Sequence, residues 1–561
     1  VDREYKVKYP APWGGKRGSA SLVQDLPWGI DTFHFSVSER RIFLKKRRRF
    51  MKNIVTKSFL IMLMVLFVGV GLSAQGQQVQ PQAAAVVEQP LPALKVLSFY
   101  ANFDPNKNPQ KSIIEEVTGY QVEYFMLPQD TEKADEKLNI TIASGSDYDI
   151  LKLRPYQYYR LVKQGALQEL DTVLAKSGPT LKSVIKPLSW EVAKYKGKTY
   201  AVPLSNERPN IANSIAIRKD LLDKAGLQVP KTLDEFTAVL RALKKFYPNL
   251  IPMTGPGRID QQMYLNSFVP VIGGAFGIYN EWTDVDGELV HYVNMPGFKE
   301  YLAYMTGLYK EGLVDVDWPV NTLASCNEKF VSGKAVMDPY HYNDATANLT
   351  ALKGNFPEVE LVYINSLQGP RGAGVRIERK INYFICVPKS SPNAEHAIKF
   401  MDKMLKYENF EFLTLGQEGV HFTKQGTDFE PIMPIFNQER FWSYWYLMGI
   451  DEYKYPDMWL ARIKKDAYQY ANFKAINGNI AKEGHLDVTG FAPTVEAVAN
   501  NQQSLRKQVD DFCIRVLVGT ESIASYEAMA ANWKKNGGDA MTTEMNAWYK
   551  EFVKTNGKIT L

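Results

Sequence analysis

The chain reads as an α/β protein, and three observations predict it. Between residues 94 and 153, short apolar runs alternate with helical periodicity in the order β-α-β-α-β, which implies a parallel sheet. Helix stop signals recur, with Gly119, Gly226 and Gly312 each closing a periodic run. The 561 residues are 45% hydrophobic and 23% charged, ordinary for a globular protein and enough for two or more domains.

Taken in order, residues 1–50 show neither helical nor strand periodicity, and we expect a non-native or disordered extension. Residues 51–75 read as a signal peptide: Lys52 and Lys57 give the positive segment, and residues 59–70 are apolar but short for a bilayer span. The alternative for Arg47-Arg48-Arg49-Phe50-Met51-Lys52 is a twin-arginine export signal. The Gln-, Ala- and Pro-rich residues 76–93 form a flexible linker. Residues 94–99, 122–126 and 149–153 are strands, and residues 112–118 and 130–143 are helices. A helix follows at 158–165. Gly197 turns the chain into a strand at 199–203, then a polar break carries Glu207 and Arg208, and a second strand covers 211–217. Thr232 with Glu235 is a capping box opening a helix to about Phe246. The cluster Gly273-Gly274-Ala275-Phe276-Gly277 lacks the Lys-Ser/Thr end of a phosphate loop and reads as a turn beside a packed helix. Residues 281–293 form a hairpin turning at Asp286-Gly287. A helix spans 298–311. A strand reached through Met337 empties into Asp338-Pro339-Tyr340-His341. Residues 381–388 are a strand, 391–395 open a helix that runs to 405, 436–475 are an aromatic-rich stretch, and 509–517, 522–535 and 541–552 are helices, with a break at Gly537-Gly538.

Several strings together carry a resemblance: Gly197-Lys198-Thr199-Tyr200-Ala201 with Pro203, then Arg218-Lys219-Asp220-Leu221-Leu222-Asp223-Lys224, then Phe330 with Gly333-Lys334-Ala335 and Met337, then Ser391 with Glu395, Ala397, Lys399, Phe400 and Asp402. In this order they resemble extracellular solute-binding proteins of family 1, the carbohydrate receptors of ABC importers, over about residues 94–555. The resemblance implies a periplasmic-binding-protein-like two-lobe clamshell, each lobe a mostly parallel sheet flanked by helices. It implies lobe 1 at 94–206, lobe 2 at 207–380, a return to lobe 1 at 381–420, and lobe 2 with C-terminal helices at 421–561. It also implies ABC permease subunits as partners, a carbohydrate ligand, and binding by hinge closure without catalysis. Relatives often carry a calcium-like loop after the capping-box helix; here Tyr247-Pro248-Asn249-Leu250 is short, so no metal is expected there.

Charge narrows the partners. Residues 1–75 hold 14 Lys/Arg against 5 Asp/Glu, whereas the remainder holds 53 against 56. The net +6 therefore belongs to the leader, and nucleic acid is not an expected partner. Cys326, Cys386 and Cys513 lie far apart and are expected as buried thiols, with one disulfide among them as the alternative in an oxidising compartment. No cysteine stands at the cleavage point for a lipid anchor, so a monomeric periplasmic protein is expected, with a membrane-anchored form as the alternative. Six His without metal spacing argue against zinc, and no cofactor is expected.

A sugar offers hydroxyls that donate and accept, and apolar C–H faces. Its receptor needs planar polar groups and aromatic platforms. Loops beyond strand ends supply them: Tyr100, Asn102 and Asp104 from lobe 1, Glu207 and Arg208 from the crossover, Asp338, Tyr340 and His341 from lobe 2, and Trp442 and Trp445 as platforms. Two alternatives stand: a receptor for a peptide or amino acid, and a carbohydrate-active enzyme using a carboxylate pair.

Overall fold

The computed structural model describes residues 90–145, 147–206, 210–211, 213–257, 271–378, 380–478, 480–493 and 495–558. The leader, signal peptide and most of the linker expected over 1–93 lie outside the described residues, as do Glu207 and Arg208.

The chain begins with β1 (Leu94–Ser98), α1 (Pro109–Thr118), β2 (Val122–Met126), α2 (Thr131–Ala143) and β3 (Ile150–Leu153). β1 pairs in parallel with both β2 and β3, as the alternation requires. Asn108 and Asp130 cap α1 and α2 through their side chains, and Gly119 ends α1 at φ 75. After α3 (Pro155–Lys163), the expected strand at 199–203 is divided. Lys198–Thr199 pairs with Lys194–Tyr195 in a small hairpin turned at Lys196 and Gly197, both left-handed. Only β4 (Val202–Ser205) joins the main sheet, as an edge strand, where Pro203 leaves no ladder donor missing between two neighbours.

A crossing strand, β5 (Asn210–Ile211), leads to the second sheet. There follow β6 (Asn213–Arg218), α4 (Lys219–Lys224), α5 (Leu233–Phe246), β7 (Ile251–Met253), the hairpin β8 (Trp282–Val285) and β9 (Glu288–His291), α6 (Pro296–Lys310), α7 (Leu323–Val331), β10 (Ala335–His341), α8 (Ala345–Asn355) and β11 (Leu361–Ile364). Thr232 and Glu235 form the capping box of α5. The glycine cluster is a short 3-10 turn packed so closely on α6 that a Cβ on Gly297 would lie 1.9 Å from the Phe276 carbonyl oxygen. β10 runs on through His341, so Asp338 and Tyr340 lie within the strand and not beyond it.

The chain returns through β12 (Val375–Glu378) to β13 (Ile381–Cys386). It continues with α9 (Ala394–Leu405), α10 (Tyr407–Leu415), α11 (Tyr455–Lys464), α12 (Ala467–Asn477), β14 (Gly484–Leu486), α13 (Glu496–Leu517), α14 (Tyr526–Trp533) and α15 (Asp539–Asn556). The first sheet has the order β2-β1-β3-β13-β4, the second β11-β6-β10-β7. Among the described strands each main sheet has one reversed member. β13 is antiparallel to β3 and β4, and β6 is antiparallel to β10 and β11. These reversed members are the strands by which the chain enters each sheet from the other.

The aromatic stretch corrects the expected boundary at residue 421. Residues 440–447 pack on the first sheet, not the second, and α11 packs on α10. The Lys152 ammonium on β3 donates to the carbonyls of Trp445 (2.9 Å) and Leu447 (2.8 Å), Tyr446 Oη donates to the Pro105 carbonyl (2.8 Å), and Arg440 donates to Gln110 Oε1 on α1 (2.9 Å). The chain then passes from α11 to α12, which sits on α8 and β11 of the second sheet. The C-terminal helices hold the β8–β9 hairpin: Glu281 accepts from Gln502 and Arg506 on α13, and Tyr526 Oη donates to the Val293 carbonyl. Burial works against the Glu281 charge, yet Arg506 and His291 hold its carboxyl far below the usual range.

Candidate functional site

Parallel strands point their carboxyl ends at one edge of a sheet, and ligand sites form there. At the end of β1 the chain turns outward through Phe99, Tyr100, Asn102, Phe103 and Asp104. Tyr100 is 41% exposed, and Asn102 and Asp104 are exposed. Asp104 Oδ1 accepts the Asn106 N–H at 3.0 Å and Oδ2 lies 3.2 Å from Lys107 Nζ. Those hydrogen bonds, from Asn106 first and Lys107 second, lower its pKa, so the residue shapes the turn as well as facing solvent.

Phe103 stacks on Trp442 with ring centroids 4.5 Å apart and planes 20° apart. Trp442 also meets Phe441 edge-on at 4.9 Å and lies 6.0 Å from Tyr444. Phe441 and Tyr444 are 40% and 41% exposed. Together these rings make an aromatic shelf beside the β1 loop. Its backbone is held from beneath: Arg462 donates to the carbonyls of Arg440 (3.1 Å) and Phe441 (2.8 Å) and to Ser443 Oγ. A second pair, Phe99 and Tyr383, stacks at 4.8 Å with Lys152 Nζ 5.3 Å and 5.2 Å from the two rings. Burial lowers the Lys152 pKa to about 7.

The expected ligand set divides. Asn102, Asp104 and Trp442 come together with Phe103 on the shelf. Trp445 is fully buried; its Nε1 donates to the Phe99 carbonyl at 3.2 Å, and its ring supports Phe103 edge-on at 5.5 Å. The three-residue spacing from Trp442 puts Trp445 on the inner side of a 3-10 turn over Ser443–Tyr446. Asp338 and Tyr340 are 3% and 1% exposed and face the interior of the second sheet, Tyr340 lying between Phe330 and Tyr363. Both were expected on an open loop, and continuation of β10 brings them indoors. Burial raises the Asp338 carboxyl well above its usual range, its Oδ1 meets no hydrogen-bond partner among the described residues, and the Cys326 thiol lies against it. His341 is half-buried; its Nδ1 accepts the Asn343 N–H at 3.1 Å, capping the turn after β10.

Phe99, Phe103, Phe441 and Tyr444 line the candidate site and were not among the expected ligand contacts. Their signal was the aromatic density of residues 99–103 and 441–446. Lys152, a single charge inside an apolar strand, was the other visible sign. The three free thiols, Cys326, Cys386 and Cys513, are all buried, and no group of three His, Cys, Asp or Glu among the described residues is placed to hold a metal ion.

Three short segments between the halves pair with one another. β12 is antiparallel to β5 and parallel to β14, forming a narrow sheet of its own. Asn206 and Lys380 bracket it, the Asn206 N–H donating to the Lys380 carbonyl at 2.9 Å and the Lys380 N–H to Asn206 Oδ1 at 3.0 Å. Asn477 Oδ1 accepts the Ile211 N–H at 2.7 Å.

Comparison with known proteins agrees with this architecture. Residues 112–417, more than half of the chain, match the bacterial extracellular solute-binding protein family. An uncharacterized Niallia circulans protein is 37% identical over 256 residues, 46% of this chain and all of that one. The polygalacturonan/rhamnogalacturonan-binding protein YtcQ of Bacillus subtilis is 24% identical over 465 residues, 80% of this chain and 89% of that one. Among solved structures, an HMO-binding, ABC-transporter-associated solute-binding protein of Bifidobacterium longum infantis superposes with a TM-score of 0.62 at 18% identity, covering 83% of this chain and 99% of that one. With its two sheets, reversed entry strands and paired crossing segments, the chain belongs to the bacterial extracellular solute-binding proteins and has their two-lobed fold.

Proposed function

We propose that this protein is the receptor of an ABC importer, and that it captures a sugar or oligosaccharide between its lobes and delivers it unchanged to a membrane permease. The observation that carries the reading is the exposed aromatic shelf of Phe103, Phe441, Trp442 and Tyr444 beside the polar loop Tyr100–Asp104, at the carboxyl edge of the first sheet. Aromatic faces take the C–H surfaces of a sugar, and neighbouring planar polar groups order its hydroxyls. The names of the relatives support the same ligand class.

Glu207 and Arg208 on the crossover and His341 at the end of β10 complete the proposed ligand set, while Trp445, Tyr340 and Asp338 support it from inside. The paired crossing segments serve as the hinge, and a ligand that touches both lobes only when they close shifts that population. The protein works as a monomer, exported by the signal peptide at 51–75 and retained in the periplasm. A thermal-shift screen of oligosaccharides tests the reading. A true ligand at 100 times its dissociation constant stabilises the fold by about 2.7 kcal/mol, and mass spectrometry should recover it intact. A melting point moved by peptides or amino acids and by no glycan overturns the reading.

A further inference from the structure

We infer that the aromatic shelf takes acidic sugars, and that Lys465 reads their carboxylate. This deepens the carbohydrate-receptor reading and rests on it.

Lys465 follows the last turn of α11, where the chain leaves the first sheet for the second. Its Nζ lies 3.8 Å from the centroid of the exposed Phe441 ring, at the edge of the shelf. The adjacent Lys464 is neutralised by Asp428 and Glu430. Lys465 has no carboxylate in ion-pair range among the described residues. Asp466, whose charge is felt at Lys465, is engaged in capping α12, where it accepts the Gln469 N–H at 2.8 Å.

A second cation reinforces the first. The Arg462 guanidinium lies 5.2 Å from the Tyr444 ring and donates to the backbone carbonyls that carry the shelf. Burial first, and Arg462 second, bring the Lys465 pKa down to about 7, so a carboxylate bound beside it favours the ammonium form. A neutral sugar gains only stacking and hydroxyl hydrogen bonds here. A uronic acid stacks its ring face and sets its carboxylate at the ring edge, where an ammonium forms a charge-assisted hydrogen bond. The chemistry therefore selects an oligosaccharide with carboxylates on its rings.

The test is calorimetric titration of the full chain with trigalacturonate, with its fully methyl-esterified form, and with neutral maltotriose. The free acid should bind at least about tenfold tighter than the ester, an advantage that shrinks as salt rises. Lys465→Met should erase that ratio by bringing acid binding down to that of the ester, and Lys465→Arg should restore it. Circular dichroism confirms that each variant is folded, and the wild-type acid-to-ester ratio decides the matter without any variant. Equal binding of acid and ester, or a ratio that survives Lys465→Met, overturns the inference. Binding of maltotriose alone overturns it while the carbohydrate-receptor reading stands, whereas binding of peptides and of no glycan overturns both.

Discussion

Trp442 and Trp445 stand three residues apart and have opposite surroundings. Trp442 is half-buried with a face on Phe103, whereas Trp445 is sealed between Phe99, Phe103, Tyr124 and Tyr446. Trp442→Ala should leave urea denaturation little changed and weaken glycan binding about tenfold, or ~1.4 kcal/mol. Trp445→Ala should cost about 3–5 kcal/mol of stability, read in the same denaturation experiment. Asp338 makes a third prediction. Its folded pKa is raised by burial above the ordinary 3.8, so the native state holds a proton that the unfolded chain releases. Stability should therefore fall as pH rises from about 4 towards the raised folded value, by at most about 1.4 kcal/mol per pH unit. Asp338→Asn should flatten that slope in denaturation curves taken across pH. At this scale the residue types of a sugar site were visible in the sequence. Which of them faced solvent was not, because alternation along β10 and the inner side of a 3-10 turn decide it.

Elements were the most legible level, since their signals are local. Thr232 and Glu235 announce the start of α5, Gly119 the end of α1, and Asp286-Gly287 the hairpin turn, where both residues are left-handed at φ 54 and φ 92. Thr232→Ala should cost about 1 kcal/mol, measurable by thermal denaturation. The close approach of α6 to the glycine turn was not legible, because Gly297 meets Phe276 only across tertiary structure. Gly297→Ala would place a methyl against backbone that must move, and should cost about 1–3 kcal/mol by the same measurement. The strand at 199–203 was misjudged for a similar reason. The Tyr200 N–H donates to the Ala193 carbonyl (3.1 Å), which draws the chain off the sheet until Val202.

For the whole molecule, the two-lobed plan was legible from the order of familiar strings, but the placement of residues 421–464 was not. That segment is tied to the first sheet by Lys152 and by Gln110, partners about 300 positions distant along the chain, and no local pattern encodes such a tie. The narrow sheet couples three of the segments between the halves, so closure should appear as one concerted step. Solution scattering should show a smaller radius of gyration with bound glycan, and an unchanged profile would contradict hinge closure.

The buried cysteines have a consequence of their own. Cys386 lies in β13 of the first sheet, Cys326 in α7 on the second, and Cys513 in the C-terminal α13. The protein thus has a native reporter in each of its three regions, silent towards alkylating reagents while folded. Pulsed labelling along a denaturant ramp, followed by peptide mapping, would reveal which region comes apart first and whether a captured glycan delays all three together.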